Sequence, residues 1–276
     1  MATNEQFDME LKETLIAMMQ WVHQFCIDND IRYYVVDGTM LGAARHQGFI
    51  PWDDDIDVGV PRRDYEKLAS ILNEKTEGRY VLETPDSPAK EFIYTYSKLY
   101  DTTTTLVEHA RKDIRRGVFI DIFPLDGIGN SVEESKNNYK RIDFLFKFYM
   151  ARVVAVRSGR SFYKNAAVMA EQLIPECIIN NQKLRRDLDE ACKKNDFDEC
   201  LYGGNLLSTW RFREVMERKI MGTPTLYQFE NIEVFGVEDY DGYLTSLYGD
   251  WRKLPPAEKQ VTHHDFVECD LHRSYR

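Results

Sequence analysis

The 276-residue sequence predicts an α+β fold: a mixed β-sheet in the first half, a helical region packed beside it, and a tail that returns to the sheet. Three observations carry this. Short β-rich runs and amphipathic helical runs are intermixed up to about residue 130, a long helical tract follows, and a hairpin pattern appears near residue 225. No repeat, low-complexity linker or clean boundary interrupts the chain. A single domain over 1–276 is therefore expected, with a core over 1–130, a helical region over 131–225 and a returning segment over 226–276.

Apolar residues at Phe7, Leu11, Leu15, Met18, Met19, Val22 and Phe25 fall at helical spacing and predict an amphipathic helix from Glu5 to Asp28. IRYYVVDG is a strand stopped by Gly38, and TMLGAARHQG a short helix with Thr39 as N-cap and Gly48 as its end. In FIPWDDDIDVGVP, Phe49 to Pro61, the residues Ile56, Val58 and Val60 alternate with Asp55, Asp57 and Gly59. That is a strand pattern, and it puts Asp55 and Asp57 on one face. RRDYEKLASILNEK then reads as a helix, and RYVLET, FIYTYSKLY, TTTTLVE and GVFIDIF as strands. RKDIRRG, between the last two, is an expected exposed loop able to meet an acidic acceptor. A helical tract occupies about Ser131 to Cys192, with breaks near Ser158 to Arg160 and at Pro175. TLYQFENIEVFGV is a hairpin, DYDGYLTSLYG a short helix, and DWRKLPPAEKQVTHHDF an irregular tail.

The formal net charge of -10 argues against nucleic-acid binding, which needs a concentrated positive field. No stretch is apolar for long enough to cross a bilayer, and MATNEQFDMELKETL lacks a basic n-region and an apolar h-region, so a cytoplasmic protein is expected. The five cysteines, far apart and without C-x-x-C spacing, read as scattered buried thiols. Between Tyr139 and Lys164, Lys140, Arg141, Lys147, Arg152, Arg157 and Arg160 interleave with large apolar residues. One reading is peripheral contact with an anionic membrane. The favoured one is a core-facing helix with a basic outer face.

Asp53, Asp54, Asp55 and Asp57 put four carboxylates into five residues. Like charges this close destabilise a fold unless a cation neutralises them. A solvated acidic turn is the alternative, and the flanking Ile50, Trp52, Ile56 and Val58 argue against it by anchoring the carboxylates to buried chain. A Ca²⁺ loop of the EF-hand type fails, because Val58 stands where glycine is needed and Asp64 where a bidentate glutamate is needed. Mg²⁺ fits better, with Mn²⁺ as the alternative ion, since Mg²⁺ leaves positions for phosphate oxygens. Gly38 and Thr39, in the turn DGTMLG, are placed to hold phosphate. Asp121, in VFIDIF, is a carboxylate inside an apolar strand, where it needs a metal, a cation or a proton. Lys98, in YTYSKLYD, is a comparable cation among aromatics, with a structural ion pair as its other reading. Trp52, beside the aspartates, is a candidate for stacking on sugar or base, ahead of Trp210 and Trp251. His263 and His264 either close over the site or lie exposed in the tail.

The segments DGTMLGAARHQGFIPWDDDIDVGVPRRDYEKL, FIDIFPLDG and FENIEVFGVEDYDGYLTSLYGDWRKLPP resemble the LicD family of phosphotransferases, relatives of fukutin and fukutin-related protein in the nucleotidyltransferase-fold superfamily. The interval from Gly38 to Asp55 exceeds the superfamily's usual gap, as is typical of LicD, and FGVEDYD stands where the late motif is expected to carry a proline. The resemblance implies a nucleotidyltransferase-like sheet core with flanking helices and an additional helical C-terminal half. It also implies transfer of phosphocholine or a related phosphoalcohol from a CDP-linked donor to a sugar hydroxyl of a teichoic acid, lipopolysaccharide or capsule precursor, with release of CMP. In that scheme Asp55, Asp57 and Asp121 are catalytic, and Asp53, Asp55, Asp57 and Asp121 hold Mg²⁺. Gly38 and Thr39 meet phosphate, and Arg45 and Lys98 neutralise charge. The competing expectations are an enzyme that consumes a nucleoside triphosphate and releases pyrophosphate, and a non-catalytic carbohydrate- or Ca²⁺-binding module.

Overall fold

The computed structural model describes residues 4–89, 91–154, 162–262 and 266–276. The apolar stripe of α1 (Asn4–Asp28) buries Leu11, Leu15, Met18, Met19 and Val22 in the main core. β1 (Tyr34–Val35) is shorter than IRYYVVDG suggests, because α2 (Asp37–His46) already begins at Asp37. Extended Val36, not Thr39, is its N-cap, and Gln47 in the left-handed region ends it one residue before Gly48. β2 (Asp57–Pro61) and α3 (Arg62–Lys75) follow. Asp55 lies ahead of β2 rather than within it, in a segment opened by a turn in which Asp53 N–H donates to the Ile50 carbonyl.

Next come β3 (Tyr80–Glu83), β4 (Ser97–Asp101), β5 (Thr105–Glu108), β6 (Ile114–Arg116) and β7 (Phe119–Gly129). β4 takes only the second half of FIYTYSKLY, since Tyr94 and Tyr96 instead pack their rings around the Lys98 ammonium. The expected loop RKDIRRG contains β6. Its Ile114 is buried, while Arg115 pairs with Glu268 and Arg116 with Glu83.

The helical tract resolves into α4 (Val132–Val153), α5 (Phe162–Leu173) and α6 (Asn181–Cys192). Ser131 caps α4 by accepting Glu134 N–H, while the Glu134 carboxylate accepts Asn130 N–H. The break at Pro175 is present between α5 and α6; the one expected at Ser158 to Arg160 lies outside the described residues. α4 turns Tyr139, Ile142, Phe146, Tyr149 and Val153 inward and leaves Lys140, Arg141 and Lys147 exposed, as a core-facing helix should. Arg152 departs from the basic outer face. It is buried and donates to the carbonyls of Glu171, Ile174 and Ile179.

β8 (Tyr202–Gly204), β9 (Met216–Glu217) and α7 (Arg218–Met221) precede the hairpin of β10 (Thr225–Phe229) and β11 (Ile232–Gly236). After α8 (Tyr240–Tyr248), the tail forms a further strand, β12 (Phe266–Asp270). The main sheet is mixed and nine-stranded, in the order β10-β11-β1-β2-β7-β4-β3, with β8 on β7 and β9 on β8. The neighbours β2 and β7 are parallel, and β4 is antiparallel to β7. A second sheet runs β12-β5-β6. No helix among the described residues is long and apolar enough to cross a membrane. Of the cysteines, Cys26, Cys192 and Cys200 are buried as expected, but Cys177 is exposed and Cys269 half-buried.

Candidate active site

The turn between β1 and α2 is shaped for close approach. A Cβ on Gly38 would stand 2.8 Å from Asp53 Oδ2, so a larger residue would displace the Asp53 carboxylate. Buried Thr39 accepts the Asp57 N–H at its Oγ1 over 2.8 Å. The hydroxyl predicted to meet phosphate is therefore engaged in bolting the first turn of α2 to the start of β2.

One oxygen from each of Asp53, Asp54 and Asp55 lies within 4.8 Å of the others. An all-oxygen donor set at this spacing fits a hard divalent cation. Asp54, absent from the predicted ligands, belongs to this group, and its Oδ2 accepts a hydrogen bond from Thr262 Oγ1 at 2.7 Å. The tail thus touches the acidic loop just before His263 and His264, which lie outside the described residues.

Behind the loop, pairing across the sheet aligns Asp57 with Asp121, Asp121 with Lys98, and Lys98 with Glu83. Directly paired residues share a face, so four charged side chains form one row across β2, β7, β4 and β3. Burial, reinforced by Asp55, Asp37 and Asp121, pushes the Asp57 carboxyl well above the usual carboxylate range. Burial also raises Asp121, to about 6, against the opposing pull of Lys98. Lys98 is 1% exposed, with its Nζ 2.9 Å from Asp121 Oδ1 and 3.3 Å from Glu108 Oε1. Burial works against its charge, but the two carboxylates outweigh this and raise its pKa.

A second acidic pair, Asp37 and Glu214, adjoins this row. Asp37 Oδ1 and Glu214 Oε1 are buried and receive no hydrogen bond from another donor group among the described residues. The two carboxyls are close enough to act on each other, and a hydrogen bond between them requires that one carry a proton. Burial raises both groups; the contact lowers Asp37 and raises Glu214. From α8, Tyr243 Oη accepts the Asp37 N–H at 3.1 Å, and the phenol of Tyr248 is held protonated by burial and by Asp37, Asp57 and Glu214. Sequence reasoning missed Asp37, Glu108, Glu214 and Tyr248. Asp37 stands beside a motif glycine and Tyr248 lies within the late family-like segment, whereas Glu108 and Glu214 lie in stretches with no local signal.

Arg45 lies seven residues beyond Gly38, about 10 Å along the α2 axis. It donates from Nη1 to the Trp251 carbonyl at 2.8 Å and from Nε to His46 Nε2 at 3.0 Å. Trp251 is buried, while Trp52 and Trp210 are half-buried against the core.

Residues 30–154 match the family profile described as LicD/FKTN/FKRP, nucleotidyltransferase domain. Over 261 residues the chain is 27% identical to the lipopolysaccharide cholinephosphotransferase LicD of Haemophilus influenzae, covering 90% of this chain and 92% of that protein. A 59-residue stretch is 44% identical to an uncharacterised protein of Rickettsia prowazekii, covering 21% of this chain and 22% of that protein. A 34-residue stretch is 50% identical to the human ribitol 5-phosphate transferase FKRP, covering 12% of this chain and 7% of that protein. The profile spans β1 to α4, and so the aspartate loop, Lys98 and Asp121, whereas Glu214 and Thr262 fall beyond it. Over residues 30–154 the chain thus matches the LicD family, and its likeness to a LicD protein extends along most of its length.

Proposed function

We propose that the chain is a Mg²⁺-dependent transferase that moves phosphocholine, or a related phosphoalcohol, from a CDP-linked donor to a hydroxyl of a cell-surface glycan precursor, releasing CMP in the cytoplasm. The observation that carries this reading is the buried row of Asp57, Asp121 and Lys98 beside the Asp53–Asp55 cluster. Likeness to a cholinephosphotransferase along 90% of the chain supports the choice of phosphoalcohol.

In this reading Asp53, Asp55 and Asp57 hold the cation, with Asp121 as a further carboxylate and Asp54 at the rim. Mg²⁺, or Mn²⁺ in its place, supplies positive charge against the phosphate oxygens. Gly38 lets the donor's phosphates approach the N-terminal N–H groups of α2. Asp121 accepts the acceptor hydroxyl's proton as the new O–P bond forms and the bond to CMP breaks. Burial raises the Asp121 carboxyl above the usual carboxylate range, and a nearby cation would favour its ionised, proton-accepting form. Lys98 offsets charge on Asp121, Arg45 adds positive charge from the far end of α2, and Trp52 offers a face for sugar or base.

The test is thermal shift with CDP-choline, CDP-glycerol, CDP-ribitol and CTP, each with Mg²⁺ and with EDTA, followed by product analysis. One Mg²⁺-dependent CDP-alcohol that stabilises the protein and yields CMP supports the proposal. Stabilisation by CTP alone, with pyrophosphate released, would replace it with nucleotidyl transfer. Stabilisation by Ca²⁺ alone would leave a binding module.

A further inference from the structure

We infer that Glu108, carried into the site by the second sheet, is a positioning residue that governs how Asp121 is held, acting through Lys98. The inference rests on the reading of Asp121 as a carboxylate that engages a cation. Glu108 is the last residue of β5, and Tyr94 Oη donates to its Oε2 at 2.7 Å. Its other oxygen faces the Lys98 ammonium, which also lies 3.2 Å from the Phe119 ring centroid and 4.3 Å from that of Tyr94. Lys98 is thus enclosed, and reaching outward to a substrate would break both of its ion pairs.

A buried ammonium needs a counter-charge. With Asp121 as its one carboxylate partner, any shift of Asp121 toward a cation would strand that ammonium, so Lys98 would hold Asp121 back. A second carboxylate removes the conflict. Glu108 keeps Lys98 paired, with the aromatic faces sharing the charge, while Asp121 turns to its own task.

The experiment is calorimetric titration of Mn²⁺ into the full chain, with donor KM and kcat measured alongside. Glu108→Gln is expected to weaken Mn²⁺ binding about 3- to 30-fold and to lower kcat while leaving donor KM near wild type. Tyr94→Phe, which loosens Glu108 without removing its charge, is expected to act in the same direction by about 2- to 5-fold. In a Lys98→Met background, Glu108→Gln is expected to change Mn²⁺ affinity by less than about twofold, because its route to Asp121 is gone. An undiminished effect there would overturn the inference in favour of a simple field effect of Glu108. Should Lys98→Met fail to fold, Tyr94→Phe decides, and affinity equal to wild type in both it and Glu108→Gln would overturn the inference. Absence of Mn²⁺ binding by the wild type would overturn both the cation reading and this one. Wild-type binding that Glu108→Gln leaves unchanged would overturn this one alone.

Discussion

The paired strands β2 and β7 carry buried charge at both ends, and the two ends differ in balance. Where the strands finish, Arg62 grips Asp126 through two hydrogen bonds of 2.7 Å and reaches Asp189 at 3.0 Å, while Lys193 meets Asp189 at 2.8 Å. Two cations face two anions, and each has its partner within the fold. Where the strands begin, Asp121 shares one lysine with Glu108, Asp57 stands across from Asp121, and three more aspartates stand alongside. Arg62, Asp126 and Asp189 at one end, and Asp57, Asp121 and Lys98 at the other, are all buried, so burial does not distinguish them. Surplus does: among the described residues carboxylates outnumber cations where the strands begin, and a fold tolerates such an excess where something from outside adds to its balance.

Four measurements break or sharpen this contrast. At the balanced end, Arg62→Leu strands Asp126 and Asp189 and should destabilise the protein by about 3–5 kcal/mol in denaturant unfolding. A loss below about 1 kcal/mol would show that the balance is not structural. At the surplus end, Asp121→Asn should lower kcat by about 10²–10⁴-fold with donor binding retained, and should raise the melting temperature of the cation-free protein by removing a disfavoured charge. Unchanged turnover would remove Asp121 from the chemistry.

A smaller effect belongs to Glu214. Glu214→Ala should cost about 1–3 kcal/mol by leaving Asp37 without its donor, and Glu214→Gln, whose amide still donates, should restore most of that. Equal losses in the two variants would argue against a shared proton. Smallest is the pH effect. Asp121 titrates near 6 in the fold, above the 3.8 of the unfolded chain, and Asp37, Asp57 and Glu214 are displaced the same way. Their contribution to stability is full below the unfolded pKa and is lost as pH rises through the folded one. In EDTA the melting temperature should therefore rise by several degrees as pH falls from 7 toward 5, and Mg²⁺ should reduce that slope. A flat profile in EDTA would mean that the surplus charge is already neutralised within the protein.

What could be read from the sequence follows the reach of each interaction. α3 is legible to the residue because Pro61 precedes a strong helical period, and the β10–β11 hairpin is legible from its alternation. The glycine turn, the aspartate loop and Asp121 are legible because clustered or buried like charge is anomalous along a local stretch. β6, β8 and β9 hold two or three residues each, too few for any period to show. Glu108 and Glu214 gain their meaning only from Lys98 and Asp37, partners brought near by the folded chain. Lys98 shows both sides: its anomaly was visible, but its enclosure by Tyr94, Phe119 and two carboxylates is a product of assembly.

The strand β12 sets a timetable for this molecule. It pairs with β5, and beside that pairing Thr105 Oγ1 donates to the Arg273 carbonyl, a contact spanning 168 positions. Ribosomes adding roughly 5–20 residues per second need about 8–34 s to make that much chain. Throughout that interval a nascent chain displays the acidic loop without the Thr262 contact, and β5 without its late partner. Closure over so long a separation is slow compared with hairpins and helices. The finished site is therefore a late event in the protein's life, and the newborn chain spends its first seconds with the edge of β5 open to whatever meets it first.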